Sequence, residues 1–177
     1  MRIFAIDGSL NCSGWAVLDA RNGKGTEHIK GSNYGTIKTK PTMSLGFKLS
    51  YIRIEFIKLI NSYHPDVIVM EDTYAGKNAL TNARLNNAKG VIFLTAYELL
   101  GTDPVCITAA KARACVGFKN NKEEPYAFFK KQYKLKETFE KGNDITDAFT
   151  LGWYYVISSR EECHDPKKKA KAKRKKK

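Results

Sequence analysis

Residues 67–70, Val-Ile-Val-Met, run straight into Glu71, and this short stretch constrains the chain more than any other. Four apolar residues without alternation suit a strand covered on both faces, which is the position of a central strand in a parallel sheet. The flanking segments have a different period. Leu45, Leu49, Ile52, Phe56, Leu59 and Ile60 fall at helical spacing before His64-Pro65, and a second helical stretch over 81–100 ends at Gly101. A strand between two long helices is an α/β unit. Residues 1–7 form another apolar strand, and Gly8, Ser9, Asn11, Ser13 and Gly14 supply a turn into a partner over 14–18. Further strands are expected at 34–39 and 104–107. Helices are expected at 109–116, 123–133 and 145–158, with a basic loop at 117–122. The sum is an α/β fold, a mixed five-stranded sheet flanked by helices.

Length and charge narrow the possibilities. A chain of 177 residues, 42% hydrophobic, suits one compact domain, here 1–164. Residues 165–177 lack large apolar groups and cannot offset their ordering entropy by burial, so they read as a disordered lysine-rich tail. The formal net charge is +13, and nine basic residues lie in 167–177; without them 22 basic residues face 18 acidic ones. Such a balance points to a polyanionic partner, with nucleic acid ahead of an anionic membrane surface. The tail offers either nonspecific affinity or a nuclear localisation signal. Cys12, Cys106, Cys115 and Cys163 are scattered without zinc-site spacing and read as buried thiols in a reducing compartment. No apolar run approaches the roughly 20 residues of a membrane span, and residues 1–7 enter a strand without room for a signal peptide. A soluble, intracellular protein without a small-molecule cofactor is expected.

Four acids are hard to place by folding alone. Asp7 ends the first strand and Glu71 the fourth, while Asp144 and Asp147, three apart at the start of the last expected helix, project from one face. In an open α/β sheet the carboxyl ends of central strands line the functional crevice. Like charges gathered there repel unless cations bridge them. Oxygen-only ligands favour hard ions such as Mg2+, with Mn2+ able to substitute, and two such ions about 4 Å apart suit phosphodiester hydrolysis. Taken singly, Asp144 and Asp147 could equally cap a helix, and Asp7 could serve an ordinary turn. Glu71 is the harder one to explain away, being a poor strand terminator.

These residues also carry a resemblance. IFAIDGSLNCSGWAV, VIVMEDTYAGKNALTNARLNNAKG and KGNDITDAFTLGWYY resemble, in order, the three blocks of the RuvC family of Holliday-junction resolvases, within the RNase H-like superfamily. The match implies an RNase H-like fold and a homodimer that nicks a four-way junction symmetrically. It implies Asp7, Glu71, Asp144 and Asp147 as catalytic metal ligands for two ions per site, and a dimer helix over 81–100 with Val91, Ile92, Leu94, Leu99 and Leu100 suited to the interface. Tyr74 matches an aromatic position near bases at the junction. Lys77, Asn78, Arg84, Lys89, Lys111, Arg113 and Lys122 are candidate DNA contacts.

Three other functions compete. An actin-like ATPase shares the opening strand and Asp-turn but needs two duplicated halves. A noncatalytic DNA-binding protein gains nothing from converging negative charge beside DNA. A related nuclease acting on flaps, RNA or RNA:DNA hybrids would use the same acids, and the block from Tyr74 to Lys89 is what favours branched DNA.

Overall fold

The computed structural model describes residues 1–21, 28–72 and 79–160, with side chains throughout except at 32, 79–82, 84 and 85. The expected tail over 165–177, together with Tyr74, Lys77 and Asn78, lies outside the described residues. Strands β1 (Arg2–Asp7), β2 (Cys12–Ala20) and β3 (Ile29–Lys38) precede α1 (Leu45–Tyr63), β4 (Val67–Glu71), α2 (Ala79–Leu100) and β5 (Val105–Ile107). Helices α3 (Ala109–Val116), α4 (Glu123–Tyr133) and α5 (Phe139–Ser159) complete the order. The strands form one five-stranded sheet in the order β3-β2-β1-β4-β5, antiparallel between β1, β2 and β3 and parallel from β1 through β4 to β5. The expected mixed sheet is the observed one.

Alternation along β1 explains the layering. Successive side chains of a strand point to opposite faces, so Ile3 and Ala5 join the cluster containing Phe129, Ile145, Phe149 and Trp153, while Phe4 and Ile6 join Ile52, Phe56, Ala88 and Ile92. Helices α3, α4 and α5 thus cover one face and α1 and α2 the other. Both faces of β1 and β4 are dry, which is why 67–70 shows no polar alternation.

Two boundaries differ from expectation with consequences. Strand β2 runs past 14–18 at both ends and β3 begins at Ile29, before the expected 34, because their antiparallel ladder continues to Ala20 paired with Ile29. Helix α5 begins at Phe139, six residues before the expected start, with Thr138 at its N-cap position and Glu140 in its first turn. Gly142, a poor helix former, is nonetheless helical and buried, and a Cβ on it would stand 3.2 Å from the Tyr126 ring. Asp144 and Asp147 consequently lie inside the helix, not at its start, and helix capping does not account for them. The cysteines also depart from expectation. Cys12 and Cys106 are free, half-buried and exposed respectively, whereas buried Cys115 is disulfide-bonded. Among the described residues, no helix is long and apolar enough to cross a membrane.

Candidate active site

Sheet register brings the first two acids together. Ile6 pairs with Met70 across the parallel β1–β4 ladder, so the next residues, Asp7 and Glu71, emerge side by side at the carboxyl ends of adjacent strands. Across the other edge of β1, Asp7 pairs with Gly14 of β2. The backbone of α5 crosses directly over Gly14: a Cβ there would stand 2.2 Å from both the carbonyl carbon and oxygen of Asp144. Glycine in a strand interior often marks such a close approach. One turn along α5, Asp147 is buried at 7% exposure, and with Asp7, Glu71 and Arg113 it surrounds a small void floored by Ala109, Ala112, Thr150 and Leu151. Two strand ends and one helix face therefore deliver four carboxylates to one place.

The electrostatics of that place are those of a cation deficit. Asp7 is held well above the usual carboxylate range, first by burial, then by the charge and hydrogen bond of Glu71 and the charges of Asp147 and Asp144. Basic side chains supply part of the missing charge. Arg113 Nη2 donates to Asp147 Oδ1 at 2.7 Å, and Lys122 Nζ lies 2.8 Å from Asp147 Oδ2 and 3.9 Å from Asp144 Oδ1. Burial works to lower the Lys122 pKa, but the Asp147 hydrogen bond and the charges of Asp147, Asp7 and Asp144 outweigh it and raise it. Lys89 Nζ donates to the Asp72 carbonyl oxygen at 3.0 Å and stands 3.6 Å from Glu71 Oε2. With these cations in place, no group of three or more His, Cys, Asp or Glu among the described residues is drawn together as a finished metal cage. The donor set nevertheless fits a hard divalent ion, because it is all carboxylate, crowded with like charge and open to solvent at Glu71 and Asp144, about a third exposed each.

The candidate DNA contacts divide. Lys89 and Arg113 are buried and engaged with the acids or the strand ends, and Lys122 sits at the mouth of the site. Lys111 is exposed and lies 5.6 Å over the Tyr154 ring, roughly two turns along α5 from Asp147. The side chain of Arg84 is not among those described. Sequence reasoning passed over two neighbours. The Cys12 thiol hydrogen-bonds with Asp144, and burial and that carboxylate push it up to about 11. Asn120 accepts from Arg113 Nη1 at 3.3 Å. Neither has a signal in one sequence, and Gly14, read there as a turn residue, lies inside β2.

The Asp7 shift makes a prediction about the metal-free protein. A carboxyl whose folded pKa is raised binds a proton that the unfolded chain has released. Its stabilising contribution is therefore present in acid, and is lost as pH rises through the raised value. Asp7→Asn removes that loss and can still donate to Glu71. At neutral pH with chelator the variant should melt above wild type, by about 2–4 °C for each 1 kcal/mol relieved, with the gain vanishing toward pH 4. A neutral-pH melting temperature equal to or below that of wild type would contradict this.

The comparisons with known proteins point the same way. Residues 3–153 match the model of the family described as crossover junction endodeoxyribonuclease RuvC. The chain is 36% identical over 163 residues to that enzyme from Ehrlichia ruminantium strain Gardel, covering 89% of this chain and 98% of the relative. It is 27% identical over 164 residues to the one from Dictyoglomus thermophilum, covering 92% and 100%. In fold it is similar to Thermus thermophilus RuvC, with a TM-score of 0.74 at 19% identity over 92% of this chain and 98% of that one. A structure of T. thermophilus RuvC in complex with Holliday junction substrate matches at a TM-score of 0.75 and 15% identity, over 91% and 96%. With the family model matching residues 3–153 and a 36% identical relative covered almost from end to end, this chain belongs to the RuvC family of crossover junction endodeoxyribonucleases.

Proposed function

We propose that this chain resolves four-way DNA junctions as a homodimer, using Asp7, Glu71, Asp144 and Asp147 to hold two Mg2+ ions, or Mn2+ in their place. The observation that carries the site assignment is the convergence of four carboxylates from β1, β4 and α5 on one crevice, with Asp7 pushed up first by burial and then by its like-charged neighbours. Nucleases of this family are metal-dependent. When bound, the ions supply charge to the attacking and leaving oxygens of the phosphodiester. The protein's own part is to fix the carboxylates on rigid elements and to keep Asp147 dry. Lys122, near half exposed on its long stem, neutralises the acids without metal and is free to turn outward to phosphate when ions take its place. Cleavage of a synthetic four-way junction beside duplex, flap and hybrid controls, with and without Mg2+, tests this assignment. Equal cutting of all substrates, or cutting undiminished by chelator, would overturn it.

Helix α2 supports the dimer. Ile92, expected at the interface, is instead fully buried against the sheet, because it falls on the face that meets β1. Phe93, Leu94, Tyr97 and Leu99 are exposed along α2, and Ile54 is exposed on α1, which an Arg53–Glu98 ion pair of 2.6 Å ties to α2. Exposed large apolar side chains of this kind, with Phe93, Leu94 and Tyr97 sharing one side of α2, suit an interaction site, and a two-fold dimer places two active sites for paired nicks. Leu94→Glu should shift light-scattering mass from dimer to monomer at micromolar concentration and reduce paired nicking to single, unsynchronised cuts. A variant that stays dimeric and cuts normally would remove α2 as the interface.

A further inference from the structure

Arg113 reaches the acids from inside the protein. Its backbone is fixed at the end of α3, where the N–H groups of Gly117 and Phe118 both donate to its carbonyl oxygen, at 3.0 and 2.9 Å. Its side chain is only 10% exposed and Asp147's 9%, so the 2.7 Å contact between them is withdrawn from solvent. Nη1 donates to Asn120, while Nε is buried and meets no acceptor among the described residues. A buried donor left unpaired is unfavourable; the guanidinium is not placed there to optimise its own hydrogen bonding.

The two oxygens of Asp147 are divided between unlike cations. Oδ1 is held by Arg113, which has no water to return to, and Oδ2 by Lys122, whose side chain is 45% exposed. A cation arriving from solvent can displace the second and not the first. We propose that Arg113 is a positioning residue, not the phosphate contact its sequence position suggests: it locks Asp147 Oδ1 so that Oδ2 faces the metal once Lys122 withdraws. This rests on the metal-site assignment above. Simple charge neutralisation makes the opposite forecast, since deleting a neighbouring positive charge should tighten cation binding. Groups that orient a metal ligand typically contribute about 10–100-fold to metal affinity, and a lysine cannot reproduce the planar fork of arginine.

The test is Mn2+ titration of the full-length protein by calorimetry, alongside junction binding in Ca2+. Arg113→Leu should weaken Mn2+ binding about 10–100-fold and Arg113→Lys about tenfold, both leaving junction affinity within about twofold because no phosphate contact is lost. Lys122→Met should show the reverse pattern, with junction binding weakened and Mn2+ binding not weakened. Should the leucine variant fail to fold by circular dichroism, the lysine variant decides. Mn2+ binding by Arg113→Lys as tight as wild type or tighter, or a loss confined to junction affinity, would overturn the role of Arg113 alone. Absence of Mn2+ binding by the wild-type chain would instead bring down the metal site itself.

Discussion

Asp7→Asn, Glu71→Gln, Asp144→Asn and Asp147→Asn should each reduce junction cleavage about a thousandfold or more, the equivalent of about 4 kcal/mol of transition-state stabilisation. Each substitution removes one charge from a crevice whose chemistry depends on concentrating divalent ions, and each keeps the shape of the side chain. Binding should survive, because none of the four contributes attraction to phosphate; removing negative charge beside DNA should if anything strengthen it. Mobility shifts in Ca2+ would follow binding and strand-specific nicking in Mg2+ would follow cleavage. The four are not interchangeable in their secondary effects. Asp147→Asn also breaks a buried pair with Arg113 and should cost stability, whereas Asp7→Asn should increase it in the absence of metal. Cleavage near the wild-type rate by any two of the four would dismantle the site.

Gly14→Ala should be among the most damaging single-methyl changes at the described residues. The added carbon would meet the Asp144 backbone at 2.2 Å, and a helix backbone cannot rotate away as a side-chain tip can. Either α5 lifts from the sheet or β2 bends. Overpacking of this kind costs about 3 kcal/mol or more, read as a fall in the denaturation midpoint. Activity should fall beyond what stability explains, since displacing Asp144 by about 1 Å is enough to lose about a hundredfold in rate. Normal stability and cleavage in Gly14→Ala would mean that α5 does not depend on this contact to deliver its acids.

What the sequence by itself determined begins with the strands. The unbroken apolar run at 67–70 and the strand over 1–7 each end in an acid, and adjacent strands of that kind can bring Asp7 beside Glu71; the parallel register of Ile6 with Met70 is what does so. The blocks around the four acids resembled one nuclease family, and the family match over 3–153 bears that out. The tertiary structure decided the rest, because it depends on contacts far apart in the chain. Where the last helix begins, with Gly142 packed close to Tyr126 inside it, decides whether Asp144 and Asp147 are caps or interior residues. Period alone left Ile92 and Leu94 equivalent, and only the packing of α2 against β1 turned one inward and the other out. Charge alone left Lys111, Arg113 and Lys122 alike as bases for phosphate. Burial separated them: a guanidinium enclosed beneath Asp147, 34 residues away in sequence, is a neighbour that no local pattern encodes.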